Sequence, residues 1–352
     1  MLPEVRRRSL EGTVRVGVVG VGLMGADHAR RLAGRIAGAT LAAVADPDAD
    51  RATALGEELG ARVIADSLEL IADEGVDAVL LASPGFVHEE QLLACIELGK
   101  PVLCEKPLTM DSESSLRVID AERAAGPPLI QVGFMRRFDP EYSRLKSLVD
   151  SGRLGRTLVL HQTHRNKSVP NPDFRSEMIV RDSLVHEVDC ARWLLGEEIA
   201  SVQVISPTPT RHALEGVVDP QISIFRMASG AVVTNEVFVN SQTGYEVRCE
   251  AVGETGTAII GRPWGEVYTT VADPDGGDGT WGGPIVPDYR VRFERAYDIE
   301  VQAWVDATRR GEVTGPTSWD GYASTVVCTA GMESLTSGQP VGVVLPPLSA
   351  LP

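Results

Sequence analysis

Val14-Arg15-Val16-Gly17-Val18-Val19-Gly20-Val21-Gly22-Leu23-Met24-Gly25 decides the fold of this 352-residue chain. A short β-rich run ends in G-x-G-x-x-G, and a helical pattern opens directly after it. In that setting the glycines let a tight turn bring its backbone against a diphosphate at the helix N-terminus. A lone G-x-G-x-x-G is weak evidence, since a glycine turn also serves packing. Here the second β-rich run closes on Asp46, about 20 residues further on, where a carboxylate can accept hydrogen bonds from ribose hydroxyls. Pro47 and Asp48 follow, and neither arginine nor serine appears until Arg51, so the stretch favours NAD over NADP.

Outward from this unit the alternation continues. Strands are expected at Val14–Val19, Leu41–Ala45, Arg62–Ile64, Ala78–Leu81, Val102–Cys104 and Leu129–Val132, with helices near 24–37, 48–59, 67–73, 88–98 and 111–124. Short links between strands and helices imply an α/β Rossmann domain with a doubly wound parallel sheet, over residues 14–133. The fifth strand runs into Cys104-Glu105-Lys106-Pro107. A charged pair at the carboxyl end of a parallel strand sits where such sheets bind ligands, although a surface salt bridge fits as well. Pro107 fixes the turn and is a candidate for a cis peptide.

After residue 133 the pattern changes. A helix over Glu141–Asp150, a strand over Thr157–Thr163 and a polar loop over 164–181 precede a helix expected over Arg181–Gly196. Asp182 or Ser183 is placed to cap that helix, and Gly196 suits the left-handed position past its end. Asp182 and His186 are four apart, one above the other, and Asp189 follows three later. A carboxylate beside an imidazole tunes it as a proton acceptor; a plain cap and a satisfied polar side chain fit the same spacing. Strands follow at Ser201–Ile205, Gln221–Met227, Ala231–Val239, Glu246–Val252 and Thr257–Ile260, then a Gly/Pro/Asp-rich loop over 273–288 and helices near 291–309 and 319–337. Residues 134–352 are thus expected to form an α+β domain with a large open, mainly antiparallel sheet.

Composition narrows the partners. With 49 acidic and 33 basic residues the net charge is −16, which argues against nucleic acid and anionic membranes as partners. Five dispersed cysteines read as reduced thiols in the cytoplasm, and no metal site is read at His161 and His164. No stretch is long and apolar enough to span a membrane. Arg6-Arg7-Arg8 ahead of an apolar run has the look of an export signal, but cleavage there would remove the glycine fingerprint. Residues 1–13 are read as a disordered tail.

The glycine fingerprint, Glu105-Lys106-Pro107 and Asp182-x-x-x-His186, in this order, resemble the glucose–fructose oxidoreductase/inositol dehydrogenase/MocA (Gfo/Idh/MocA) family. Within it the strongest likeness is to bacterial inositol 2-dehydrogenases. It is carried by Gly133-Phe134-Met135-Arg136-Arg137-Phe138-Asp139, His164-Arg165-Asn166, Asp219-Pro220-Gln221-Ile222, Phe238-Val239-Asn240 and Gly244-Tyr245-Glu246-Val247. Phe238-Val239-Asn240 and its companions are joined by Arg295-Ala296-Tyr297-Asp298 and Gly315-Pro316-Thr317-Ser318-Trp319-Asp320-Gly321-Tyr322, so the likeness runs from about residue 14 to about 340. The chain departs from that pattern at Phe174-Arg175-Ser176, Lys167 and Ser183, near the expected sugar pocket.

The resemblance implies NAD-dependent oxidation of a secondary hydroxyl of a cyclic polyol, with myo-inositol going to 2-keto-myo-inositol (scyllo-inosose). Other sugars or polyols (scyllo-inositol, glucose, an anhydrosugar) and a non-catalytic NAD-binding regulator are the alternatives. It assigns proton abstraction to His186, its orientation and a share of the proton relay to Asp182, and stabilisation of the reacting oxygen to Lys106. An imidazole with an ordinary pKa of about 6.5 suits a base near neutral pH. Gly20, Gly22, Leu23, Met24, Gly25, Asp46, Ser83, His88 and Glu105 are the implied cofactor residues, and Arg136, Asn166 and Tyr245 the implied substrate residues. An interface ion pair is the rival role for Arg136, and a half-buried strand tyrosine that for Tyr245. An open sheet needs its second face covered, which points to a homo-oligomer, a tetramer by resemblance.

Overall fold

The computed structural model describes residues 12–261, 270–271, 279–280 and 286–346. The chain divides into two units, the first of Met1–Met135, Tyr297–Thr325 and Pro346–Pro352, the second of Arg136–Ala296 and Val326–Leu345.

In the first unit, six strands form one sheet: β1 (Val14–Val19), β2 (Ala39–Ala45), β3 (Arg62–Val63), β4 (Ala78–Leu81), β5 (Val102–Glu105) and β6 (Ile130–Gly133). All neighbours are parallel, in the order β3-β2-β1-β4-β5-β6, which puts the reversal of strand order beside β1. β4, β5 and β6 are buried at every position, as strands covered on both faces must be; β4 is an unbroken apolar run, and β5 and β6 each admit one polar side chain, Glu105 and Gln131. Between them lie α1 (Leu23–Gly34), α2 (Ala49–Leu59), α3 (Ser67–Ala72), α4 (His88–Glu97) and α5 (Ser112–Ala125). Asp48, Asp66 and Asp111 cap α2, α3 and α5 by accepting hydrogen bonds from first-turn amides.

The sequence places everything after residue 133 in the second domain, yet residues 297–325 pack with the first unit. Val301, Trp304 and Val305 share one core with Val14, Val16, Leu32 and Val44. They are the apolar stripe of a late helix, and that stripe is buried against β1, α1 and β2.

The second unit carries seven strands: β7 (Thr157–Arg165), β8 (Ile199–Ile205), β9 (Gln221–Met227), β10 (Val232–Phe238), β11 (Glu246–Gly253), β12 (Thr257–Ile260) and the short β15 (Val341–Gly342). Their order is β12-β11-β7-β10-β9-β8-β15. Every pairing is antiparallel except β7 with β10. That exception follows from connectivity: after β7 the chain crosses over through helices and returns as the meander β8-β9-β10.

The remaining helices are α6 (Pro140–Asp150), α7 (Ser176–Met178), α8 (Val185–Leu195), α9 (Tyr289–Arg292), α10 (Glu294–Arg310) and α11 (Ser318–Ser337). Asp139 caps α6 with Pro140 at its first position. Most of the expected loop over 273–288 lies outside the described residues; Gly279–Thr280 (β14) pairs with Thr270–Val271 (β13). Of the expected tail over 1–13, residues 1–11 also lie outside them.

The single helix expected over Arg181–Gly196 is in fact two pieces. Ile179–Leu184 forms a π-helical turn, and α8 begins only at Val185. Neither Asp182 nor Ser183 caps α8: its cap position is Leu184, with no side-chain cap bond. Gly196 does take the left-handed conformation, at φ 68°. α7 and the π-helical turn also shorten the polar loop expected over 164–181.

Candidate active site

The cofactor half lies in the first unit. Gly20 has φ +81°, and a Cβ there would come within 2.5 Å of the Ser83 nitrogen; one on Gly25 would lie 1.7 Å from the Gly20 carbonyl oxygen. Both positions therefore exclude a side chain. A Cβ at Gly22 would meet nothing within 4 Å, so this face of the turn is open to a ligand. α1 starts at Leu23 and Met24 with no side chain capping it, which leaves its first amides available to an anion.

Next to the turn is a cavity of about 570 Å³, lined by Gly20, Gly22, Asp46, Arg51, Ser67 and Ser83 among others. Asp46 accepts hydrogen bonds from the amides of Val21 at 2.7 Å and Asp48 at 2.9 Å. One carboxylate thus fixes the glycine turn and faces the cavity. Arg51 lies nearer than the sequence suggests, with its guanidinium 3.6 Å from Asp46 and 2.9 Å from Asp48. The turn, the open helix start and the acid at the end of β2 fit NAD.

Of three more expected cofactor residues, Ser83 lines this cavity. The Ser83 hydroxyl donates to Gln91 at 2.6 Å. His88 is fully buried, with ring nitrogens 2.8 Å from the Pro107 carbonyl and 2.9 Å from that of Ser83. It joins the loops after β4 and β5 instead of presenting its ring to the cavity. Burial lowers its pKa, against the pull of those carbonyls. Glu105, at the end of β5, faces His28 at 2.8 Å. The Lys106–Pro107 peptide is cis.

The residues expected at the substrate, together with Asp182 and His186, lie in the second unit. Asp182 occupies the π-helical turn, held by both arms of Arg181 at 2.7 and 2.8 Å. An insertion of this kind re-aims the side chains that follow it and is frequent at functional sites. His186 sits in the first turn of α8, 8% exposed, with its ring edge-on to His164 at a centroid distance of 6.2 Å. His164 also meets Tyr245 edge-to-face at 5.6 Å. Tyr245 is 5% exposed, and burial pushes its phenol up to about 12.

Arg136 is 1% exposed and forms a buried ion pair with Glu187 of α8. The Glu187 carboxylate also lies 3.2 Å from His164. Arg136 therefore stands behind the histidines, inside the second unit. Asp189, which the spacing sets near His186, instead receives the Arg137 guanidinium at 2.5–3.1 Å. Glu187 escaped the sequence reading. Its one signal there is the match between Arg136-Arg137 and Glu187-x-Asp189, two cations and two anions on separate elements.

Asn166 follows β7. Its carbonyl accepts from the Ser241 amide at 2.9 Å and hydroxyl at 2.8 Å, and its amide donates to Phe238 at 2.9 Å. Its side-chain oxygen is buried with no hydrogen-bond partner among the described residues. Of the divergent stretch at 174–176, Ser176 is structural: its hydroxyl accepts from the Val218 amide at 2.9 Å. Among the described residues, no cluster of three metal-ligating side chains occurs, and no helix is long and apolar enough to cross a membrane.

Comparison with known proteins agrees with both halves. Residues 14–134 match the oxidoreductase family, NAD-binding Rossmann fold, and residues 142–259 match the GFO/IDH/MocA C-terminal domain. The inositol 2-dehydrogenase of Mycolicibacterium smegmatis is 56% identical over 94% of this chain and 96% of its own length. A myo-inositol dehydrogenase from Lactobacillus casei, solved with NAD(H) and myo-inositol, superposes with a TM-score of 0.87 at 33% identity, covering 96% of this chain and 99% of its own. The scyllo-inositol dehydrogenase of the same organism, solved with NAD(H) and scyllo-inositol, gives 0.81 at 25% identity, covering 94% and 99%. On these matches the chain belongs to the Gfo/Idh/MocA oxidoreductase family.

Proposed function

We propose that this chain is an NAD-dependent dehydrogenase that oxidises the secondary alcohol of myo-inositol to 2-keto-myo-inositol. NAD, when bound at the glycine turn, supplies the hydride acceptor. The observation that carries a polyhydroxyl substrate is the buried, unpartnered Asn166 oxygen. Left unmet, such an acceptor costs about 1–3 kcal/mol, and a substrate hydroxyl meets it. The greater likeness to the myo-inositol dehydrogenase of Lactobacillus casei, at 33% identity, than to its scyllo-inositol dehydrogenase, at 25%, supports myo-inositol over the scyllo isomer.

In this reading His186 takes the hydroxyl proton, Asp182 orients it and shares the proton relay, and Lys106 donates to the oxygen as negative charge develops. Gly20, Gly22, Leu23, Met24, Gly25, Asp46 and Ser83 hold the cofactor, and Asn166 and Tyr245 face the substrate. Residues 14–133, together with 297–325 that pack with them, are the cofactor domain, and the second unit is the substrate and oligomerisation domain. The enzyme is cytoplasmic, in keeping with five buried free cysteines. It assembles as a homotetramer over the outer sheet face, where Arg165 bridges Glu236 at 2.6 Å and Glu246 at 2.9 Å. Light scattering that finds a monomer contradicts this assembly.

A panel of inositol isomers and sugars with NAD tests the substrate: the highest kcat/KM is expected for myo-inositol, and a better sugar overturns it. Two variants test the site residues. Asp46→Ser lowers kcat/KM for NAD by about ten- to a hundredfold, the worth of a charged hydrogen bond. NADP use rises in the same variant, because Arg51 is released toward a 2′-phosphate; steady-state kinetics with both cofactors reads this. Asn166→Ala raises KM for myo-inositol about tenfold at saturating NAD. An unchanged KM removes Asn166 from the pocket.

A further inference from the structure

His28 lies in α1, 1% exposed, facing inward from the helix that the glycine turn opens. Its Nε2 is 2.8 Å from one oxygen of Glu105, across 77 positions of sequence. A carboxylate accepts, so the ring donates through Nε2; Nδ1 has no partner among the described residues. The other Glu105 oxygen accepts from the Lys106 backbone amide at 3.3 Å. Gly133, beside Glu105 across β5 and β6, leaves room for this carboxylate: a Cβ there would lie 3.2 Å from its Cδ and Oε2. The edge of the Tyr297 ring, at 5.6 Å, closes the other side of His28. Both oxygens of Glu105 are thus engaged within the protein.

We infer that His28 is a positioning residue, which locks the Glu105 carboxylate so that it fixes the backbone of Lys106. The cofactor-binding helix and the strand end bearing the lysine become one rigid piece. This rests on the proposed role of Lys106, and it gives Glu105 the work of a strut in place of a cofactor contact. The pair is buried at 1% and 9% exposure, so its geometry is not diluted by water.

The test compares His28→Leu, His28→Gln and His28→Asn. A glutamine amide nitrogen falls near the position of Nε2, and that of asparagine near Nδ1. In His28→Leu and His28→Asn, kcat with NAD and myo-inositol falls about ten- to a hundredfold, the cost of a reacting group displaced by about an ångström. The NADH dissociation constant stays within about threefold, and His28→Gln restores kcat to within about threefold. Hydrogen exchange of the Lys106 amide rises in the leucine and asparagine variants and not in the glutamine one. In a Glu105→Gln background, His28→Leu adds little. Wild-type kcat and exchange in folded His28→Asn overturn the inference, as does a loss of NADH affinity matching the loss of kcat. If His28→Leu does not fold, the glutamine–asparagine contrast decides. If the wild-type chain turns over no polyol, the proposed function fails, and Lys106 amide exchange alone decides whether the brace exists.

Discussion

Lys106→Met and His186→Ala each lower kcat for polyol oxidation by about a hundredfold to ten-thousandfold, the range seen when a positioned acid or base is removed. Electrostatic support of a developing charge is worth a similar amount, about a hundredfold to a thousandfold for one donor. NADH binding, followed by fluorescence titration, changes little in either variant, because the glycine turn and Asp46 are untouched. His186 is held on a short α-helix directly after the π-helical turn, edge-on to His164. Lys106 follows the last residue of β5. Near-normal turnover in either variant, with NAD still bound, removes that residue from the catalytic set.

Glu187→Gln destabilises the chain by about 3–5 kcal/mol, because it leaves the Arg136 guanidinium buried without its counter-charge. Arg136→Met does the same to Glu187. The double variant Arg136→Met/Glu187→Met recovers much of the loss, since no charge then remains to be paired. Urea unfolding, with slopes checked against the wild type, measures all three. The pair also shapes acid stability. Burial alone would raise the Glu187 carboxyl, but Arg136 and His164 outweigh it and hold the group below its ordinary value. A carboxyl lowered in the folded state stabilises above its unfolded pKa of about 4.3, and that contribution is lost as pH falls through the lower folded value. The acid limb of the stability profile is therefore shallower in Glu187→Gln. Single variants within about 1 kcal/mol of wild type would mean that water reaches the pair.

The first half of the molecule was legible because its signals are local. β4 follows from an unbroken apolar run, β1 from an apolar run broken only by Arg15, the turn between β1 and α1 from glycine spacing, and Asp46 from its place after β2. Asp46 also clamps the Val21 amide, which no spacing rule reveals. The second half hides more. Apolar residues at spacings of three and four look alike through an α-helix and through a π-helical turn, so the break before Val185 was invisible. For Arg136 the resemblance gives a pocket role with an interface ion pair as its rival, and the ion-pair partner, Glu187, lies 51 positions away on another element. A longer separation, 77 positions, conceals the pairing of His28 with Glu105. His88 read as a cofactor contact, and only packing shows both of its nitrogens on backbone carbonyls. The parallel pairing of β7 with β10 depends on a crossover that a list of strands does not specify.

Myo-inositol deuterated at its C2 position, supplied with NAD, tests the central claim most directly. Mass spectrometry of the cofactor and the product is expected to find the deuterium on the reduced nicotinamide and a ketone at that carbon. Reduced cofactor without deuterium would place the oxidation elsewhere on the ring, and no reduced cofactor with any inositol isomer would contradict the dehydrogenase reading.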